Sequence, residues 1–461
     1  MELDDIQSGV LRPRPSPYAA TYLLFRIDDR EAGRELVGRL AAVVASAAHP
    51  RSPAVDEDTW VSVALTHHGL RALGLPQRSL DSFAWELRQG MAARAHALGD
   101  VGESSPEHWE RPLGTPDVHV VLTAVSPETA RLEAAFARAR DVFGRIQGIQ
   151  VVWRQDCHAL ATGKEPFGYR DGISHPAVEG SGIPGTNRLE QPLKAGEFVL
   201  GYPDETGSLP PMPWPDVLGR NGTYVAFRKL HQRVAAFRRY LAENAAGPEE
   251  LERIAAKMMG RWRSGAPLAL CPVHDDPALG ADRERNNHFL YGDDPIGYAT
   301  PPGSHARRAN PRDASSVAGV VRLHRMIRRG TAYGPELPEG VLEDDGVDRG
   351  LMFAFVGAHL GRQFEFVQSE WIQSGTSLGL GDLEDPVVGA NDGSGTFSIP
   401  TRPIPRRLKG LSRFVVMRGG EYAFMPGLRA LEWIAGLPSH EDVDEGDQQL
   451  VDGDHRQGER K

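Results

Sequence analysis

The chain has 461 residues, with 62 acidic against 52 basic side chains and a formal net charge of −10. That balance argues against a nucleic-acid binder acting through overall positive charge, and no apolar run approaches the roughly 20 residues of a membrane helix. Arg12 and Arg14 are not followed by the apolar stretch of an export signal, and two cysteines, Cys157 and Cys271, are too few for a disulfide framework or a cysteine zinc cluster. A soluble, cytoplasmic, enzyme-sized protein of two or three domains is expected. Only six of the basic residues are lysine and 46 are arginine. Codon bias accounts for such a ratio, and so does a need for planar, bidentate grip on carboxylates.

In chain order, Thr21-Tyr22-Leu23-Leu24-Phe25-Arg26 opens a strand followed by a helical stretch over Glu31–Ala47. Strands are predicted at Thr59–Leu65 and Val118–Val125, a helix at Leu80–Ala97, and another over about Glu128–Val142. Further strands follow at Gln150–Arg154 and Phe198–Gly201. Thr223-Tyr224-Val225-Ala226-Phe227-Arg228 then echoes the opening strand 202 residues later, again before a helical stretch, ending near Asn244. Helices are predicted at Pro248–Trp262 and Val317–Arg329. Leu351–Val356 and a helix from His359 to Trp371 repeat the strand–helix order of residues 118–142. Arg413–Met417 and Glu421–Phe424, separated by Gly419-Gly420, read as a hairpin. The two matching halves predict an α+β fold with a duplicated domain, 1–215 and 216–438. Residues 439–461 carry eight acids against three basic side chains and read as a disordered acidic tail.

Three segments concentrate chemistry. Phe167-Gly168-Tyr169-Arg170-Asp171-Gly172-Ile173-Ser174-His175-Pro176 frames one carboxylate between glycines, as an Asx turn also does. Gly303-Ser304-His305-Ala306-Arg307-Arg308-Ala309-Asn310-Pro311-Arg312 sets an imidazole beside three arginines in a stretch with little periodicity. Arg322 to Gly334 adds more arginine; between Gly303 and Gly330 there are seven arginines and one acid, Asp313. An imidazole, an acid and clustered guanidiniums suit a haem site, with a ligand for iron and arginines for propionates. They equally suit phosphate or dicarboxylate chemistry, so the residues alone specify a polar site for an anionic ligand.

These segments, with Asp5-Ile6-Gln7-Ser8-Gly9-Val10-Leu11-Arg12, Leu218-Gly219-Arg220-Asn221-Gly222-Thr223-Tyr224 and Gly260-Arg261-Trp262-Arg263-Ser264-Gly265, resemble the dye-decolorizing peroxidases, in their longer bacterial and fungal-like branch. The resemblance runs from about residue 5 to 437. It implies two ferredoxin-like domains with haem b (iron protoporphyrin IX) held mainly by the second, His305 as the axial ligand of the iron, and Asp171 and Arg328 as the distal acid–base residue and distal arginine. Arg307, Arg308 and Arg312 fall in the haem-binding segment, and Glu365 matches the carboxylate that hydrogen-bonds the axial imidazole. Hydrogen peroxide and small-molecule reductants such as dyes and phenolics are the implied partners, and a homo-oligomer is compatible with it. A non-catalytic haem-binding or haem-delivery protein is the alternative, for which the Asp171–Arg328 pair would be superfluous. His324 is a rival ligand; on the predicted helix it shares a face with Arg328, which would put ligand and distal arginine on one side of the iron. His175 is similarly placed against Asp171.

Overall fold

The computed structural model describes residues 1–48, 59–144, 146–314 and 321–438. The predicted tail and the start of the predicted helix Val317–Arg329 lie outside the described residues. The strands are β1 (Ala19–Ile27), β2 (Trp60–Leu65), β3 (Val120–Ser126), β4 (Ile149–His158), β5 (Thr223–Gln232), β6 (Ile327–Arg328), β7 (Thr331–Tyr333), β8 (Gly350–Gly357), β9 (Gly395–Ile399), β10 (Arg406–Leu411) and β11 (Val415–Met425).

Nine of these strands form one sheet in the order β4-β1-β3-β2-β11-β5-β8-β6, with β7 also on β8, and all its pairings are antiparallel. Within each half the first strand lies between the fourth and the third, with the second beyond the third. This is the order of a ferredoxin-like unit, repeated. The echoed strands β1 and β5 occupy equivalent central places, and so do β3 and β8. The halves meet edge to edge where Phe424 of β11 pairs with Leu65 of β2.

Alternation along β1 explains its burial. Leu23, Phe25 and Ile27 enter one apolar cluster, and Ala20, Tyr22 and Leu24 enter another on the opposite face. On the first face, helices cover the sheet. The helix Arg30–Ala41 starts where Asp29 accepts from Ala32 N (2.8 Å), an N-cap, and buries Leu36, Val37 and Leu40. In the second half the same face is not filled. Tyr224 and Ala226 of β5 still join the apolar cluster, but Arg228, Leu230 and Gln232 line a cavity, together with Leu351 and Phe353 of β8. The site therefore sits where a sheet face lacks its apolar filling.

Several expected elements differ, among them the helix Leu80–Ala97, which is broken into the short pieces Gln77–Asp81, Trp85–Gln89 and Ala92–Arg94. Gly419-Gly420 does not turn a hairpin: β11 runs straight through, with a bulge between Met417 and Gly419. Gly419 takes φ +138, and a methyl group on Gly420 would stand 2.4 Å from the Phe227 carbonyl. The glycines serve a close strand contact. Phe198–Gly201 is a turn after the short helical segment Ala195–Glu197, not a strand. The stretch Leu360–Ile372 is helical but formed of two π-helical pieces, Leu360–Glu365 and Val367–Ile372. Wider turns change which residues share a face. Among the described residues no helix is long and apolar enough to cross a membrane.

Candidate active site

A cavity of about 300 Å³ opens against the second half of the sheet. It is lined by Asp171 from the glycine-framed loop, His305 from the irregular segment, Arg328 from β6, and Arg312 and Arg261. Four of these residues were singled out in the sequence, and folding brings them to one place.

His305 begins a five-residue helix, His305–Ala309. Its Nδ1 lies 2.9 Å from Asp385 Oδ2, whose side chain is wholly buried. Asp385 is itself fixed, since its Oδ1 accepts from Val387 N (2.8 Å) and Val388 N (2.9 Å). Burial alone would raise its pKa, but the His305 ring, then Arg308 and the Val388 N–H, hold it below the ordinary carboxylate value. An ionised carboxylate on Nδ1 selects the tautomer with the proton there. That leaves the Nε2 lone pair, which has no hydrogen-bond partner among the described residues, available to a metal.

The expectation for Glu365 is corrected by this geometry. Its carboxylate is taken by Arg94 and by the Tyr422 hydroxyl (2.7 Å), away from His305. In the π-helical register it is Phe364, its neighbour, that lines the cavity. Asp385 went unremarked in the sequence. It lies 80 residues beyond His305 in a stretch rich in Gly and Asp, with no pattern to single it out.

Arg307 and Arg308 also have other roles than expected. Arg307 donates to the carbonyls of Thr300 (2.6 Å) and Asp294 (2.9 Å). Arg308, 1% exposed, donates to Gly303 O (3.2 Å), Trp371 O (2.7 Å), Ser374 O (3.1 Å) and Leu383 O. Neither lines the cavity. Both guanidiniums brace the loops on either side of His305 instead of facing a ligand.

Arg312 does reach the cavity. It takes a positive φ of 56, lies 3.8 Å over the Phe289 ring and donates to Phe289 O (2.7 Å). Arg261 shares Asn287 Oδ1 with it. Burial first, and then Arg312, push the Arg261 guanidinium down to about 9. Two arginines are thus held together, with Glu190, 3.6 Å from Arg312, the nearest carboxylate. Such a pair is primed for an anion.

On the other part of the lining, Gly168 (φ +93) and Gly172 (φ +77) turn the loop that carries Asp171. The Asp171 side chain lines the cavity and is open to it. Burial opposes its ionisation, but Arg328, Arg14 and the Gly172 N–H outweigh it and hold its pKa below the ordinary value. Arg328 reaches Ser174 O of the same loop at 3.5 Å.

The helix expected to carry both His324 and Arg328 is not formed around Arg328. His324 ends a short helical turn, Val321–His324, and Arg328 follows in a strand. His324 is excluded as a ligand for another reason: its Nδ1 meets Arg362 O, its ring stacks on Phe366 (centroids 3.8 Å apart), and it does not line the cavity. His175 is also outside the lining. Burial, then Arg329 and Arg328, push its pKa to about 3, so it stays neutral.

Residues 5–158 match the family model of the DyP dimeric alpha+beta barrel domain. A dye-decolorizing peroxidase of Exidia glandulosa is 30% identical over 455 residues, covering 94% of this chain and 86% of that one. The chain belongs to the dye-decolorizing peroxidase family. A second member, a multifunctional dye peroxidase of an Amycolatopsis species, is 28% identical and covers 93% of this chain and 95% of its own. A solved dye-decolorizing peroxidase in complex with 2,6-dimethoxyphenol superposes with a TM-score of 0.82 at 28% identity, over 95% of this chain and all of the other. A second solved structure, of an ancestral D-type dye-decolorizing peroxidase, has a TM-score of 0.81 at 28% identity and covers 94% of this chain and 98% of its own. As a dye-decolorizing peroxidase the protein is a haem enzyme, and the duplicated α+β fold expected from the sequence is the fold of the family.

Proposed function

We propose that the protein reduces hydrogen peroxide at haem b, with His305 as the axial ligand and Asp171 and Arg328 as the distal acid–base residue and distal arginine. The observation that carries this reading is the His305–Asp385 pair in a cavity that Asp171 and Arg328 also line. The lining fits the cofactor chemically: an imidazole with a free Nε2, apolar side chains such as Leu351, Phe353 and Val387, and the Arg261–Arg312 pair for two propionates. Asp385 takes the role that the resemblance assigned to Glu365, making the imidazole a stronger donor to iron.

Bound haem would supply the redox-active iron at which the O–O bond breaks. The chain's own residues handle protons and charge. The ionised Asp171 carboxylate takes one proton from hydrogen peroxide and returns it to the departing oxygen, which leaves as water. Arg328 cannot act as a base; its guanidinium offsets the negative charge that develops as the proton moves. Dyes, from which its relatives take their name, and phenols, one of which is bound in a solved relative, are the proposed electron donors.

The proximal assignment is tested by resonance Raman spectroscopy of the ferrous holoprotein. Asp385→Asn is expected to lower the iron–imidazole stretching frequency, Glu365→Gln to leave it in place, and His305→Ala to abolish it. A shift in the Glu365 variant alone would overturn the exchange of roles. The distal assignment predicts a pH dependence. Because the folded pKa of Asp171 is depressed, its base form survives acidification until pH drops below the ordinary carboxylate value of about 4. The second-order rate constant with hydrogen peroxide should stay level from pH 7 to about 4.5. A midpoint near 6.5 would indicate an imidazole base instead.

A further inference from the structure

The N-terminal segment crosses to the second half of the sheet and meets the distal residues there. Arg329 donates through Nε to Gly9 O (2.9 Å) and through Nη2 to Val10 O (3.0 Å). In return, Arg14 Nε donates to Gly330 O (2.9 Å). The Arg14 guanidinium lies 4.1 Å over the ring of Tyr18, whose hydroxyl accepts from Ala332 N (2.7 Å). Two glycines then locate Arg14 relative to Asp171. A methyl group on Gly172 would stand 3.8 Å from Arg14 Nη2, and one on Gly330 would stand 4.0 Å from Asp171 Oδ2. Arg14 is therefore lodged between the residue that follows Asp171 and the backbone that faces its carboxylate.

We propose that Arg14 is a positioning residue of the distal site, holding the Asp171–Gly172 corner against the Gly330 carbonyl and supplying a second positive charge beside Arg328. The inference rests on the reading of Asp171 as the distal base. The groups that face Asp171 electrostatically are few. Arg328 on β6, Arg14 on the N-terminal segment and His175 on its own loop favour its ionised form. Glu165 and Tyr18 are the neighbours whose ionisation an Asp171 charge opposes. Of the three that help, His175 is neutral above about pH 3, so Arg14 is the second lasting cation. The arginine also has a use for its planar fork, since Nε is spent on Gly330 O while Nη2 is nearest Gly172.

The test compares holoenzymes of wild type, Arg14→Met, Arg14→Lys and Asp171→Asn. The first readout is the pH profile of the second-order rate constant with hydrogen peroxide. The second is infrared titration of the protonated carboxyl band, difference-assigned with Asp171→Asn, in protein never exposed to peroxide. Arg14→Met is expected to move the acid limb and the carboxyl titration upward by about one pH unit, with a smaller loss of rate at neutral pH than on that limb. At a pH on that limb the rate falls by up to about tenfold. Arg14→Lys should restore most of the shift. A limb that stays in place while the rate falls equally at all pH would reduce Arg14 to a structural bridge and overturn the proposal, as would a Lys variant that behaves like Met. If Arg14→Met does not fold, Arg14→Gln serves the same comparison. Failure of the underlying reading looks different: Asp171→Asn would then keep both the rate and the acid limb, whatever the Arg14 variants do.

Discussion

Asp171→Asn is expected to slow the reaction of the ferric holoenzyme with hydrogen peroxide by roughly 10²–10⁴-fold, the usual worth of a positioned acid–base group. Asparagine keeps the size of the side chain and the turn at Gly172, but it cannot take a proton. The loss should therefore appear in the rate while the Soret band of the resting protein and the unfolding midpoint stay near wild type. Arg328→Leu removes a charge aimed into the same cavity, and a loss on the order of 10²–10³-fold is expected. The double variant should be far less impaired than the product of the two single losses, because both residues act on one proton movement. Stopped-flow mixing checks all three. Single variants that react at the wild-type rate would favour a haem carrier over a peroxidase, since a carrier needs His305 and not the distal pair.

A second large effect is expected at a residue that touches no reactant. Arg308→Met should destabilise the protein by about 3–5 kcal/mol, read as a shift of the urea unfolding midpoint. Its guanidinium is the shared donor for four carbonyls, at Gly303, Trp371, Ser374 and Leu383, and its charge faces Asp385. Methionine fills a similar volume and leaves those acceptors buried without a donor. Lysine should rescue little, because one compact ammonium cannot span acceptors arranged around a planar fork. Gly303 lies two residues before His305 and Leu383 two residues before Asp385, so loosening should also weaken the His305–Asp385 contact. A midpoint unchanged within about 0.5 kcal/mol, the range of an ordinary surface substitution, would show that water satisfies the carbonyls.

The strands and the duplication were legible in the sequence because burial on two faces leaves a dense signature. Tyr22, Leu23, Leu24 and Phe25 form an unbroken run with apolar side chains on both faces, and the same pattern returns at Tyr224–Phe227. Glycine positions were legible only as signals and not as outcomes. Gly419-Gly420 announced a backbone irregularity, but whether the chain turned or bulged there depended on Phe227 and Leu113, which press against it from elsewhere in the fold. The Arg328 segment shows a different failure. Its spacing of apolar and basic residues allows a helix, but the β8 edge offers Phe355 and Val356 as ladder partners, and pairing wins.

Among the site residues, Asp171, His305, Arg312 and Arg328 could be picked out because each sits in a segment whose glycines or clustered charge are unusual for a surface. Arginine identity, however, did not reveal arginine use. Arg307, Arg308 and Arg312 lie within six residues of one another, yet while all three donate to backbone carbonyls, only Arg312 also lines the cavity. The residues whose part in the site only the tertiary structure showed, Asp385, Arg261 and Arg14, come from segments far apart in the chain. Their roles follow from distance in space, which spacing in sequence does not encode.

By itself, the sequence determined the α+β duplication, the net negative charge with one arginine-rich window, and the residue types of a polar, anion-binding centre. Those properties are local: they come from periodicity, from glycine's access to positive φ, and from charge counted along a short window. Only the tertiary structure decided which carboxylate meets the His305 ring, which guanidiniums face the cavity and which are consumed by carbonyls. Hydrogen bonds fill up: once Glu365 is held by Arg94 and Tyr422, and Arg308 by four carbonyls, most of their acceptors and donors are already engaged away from the site.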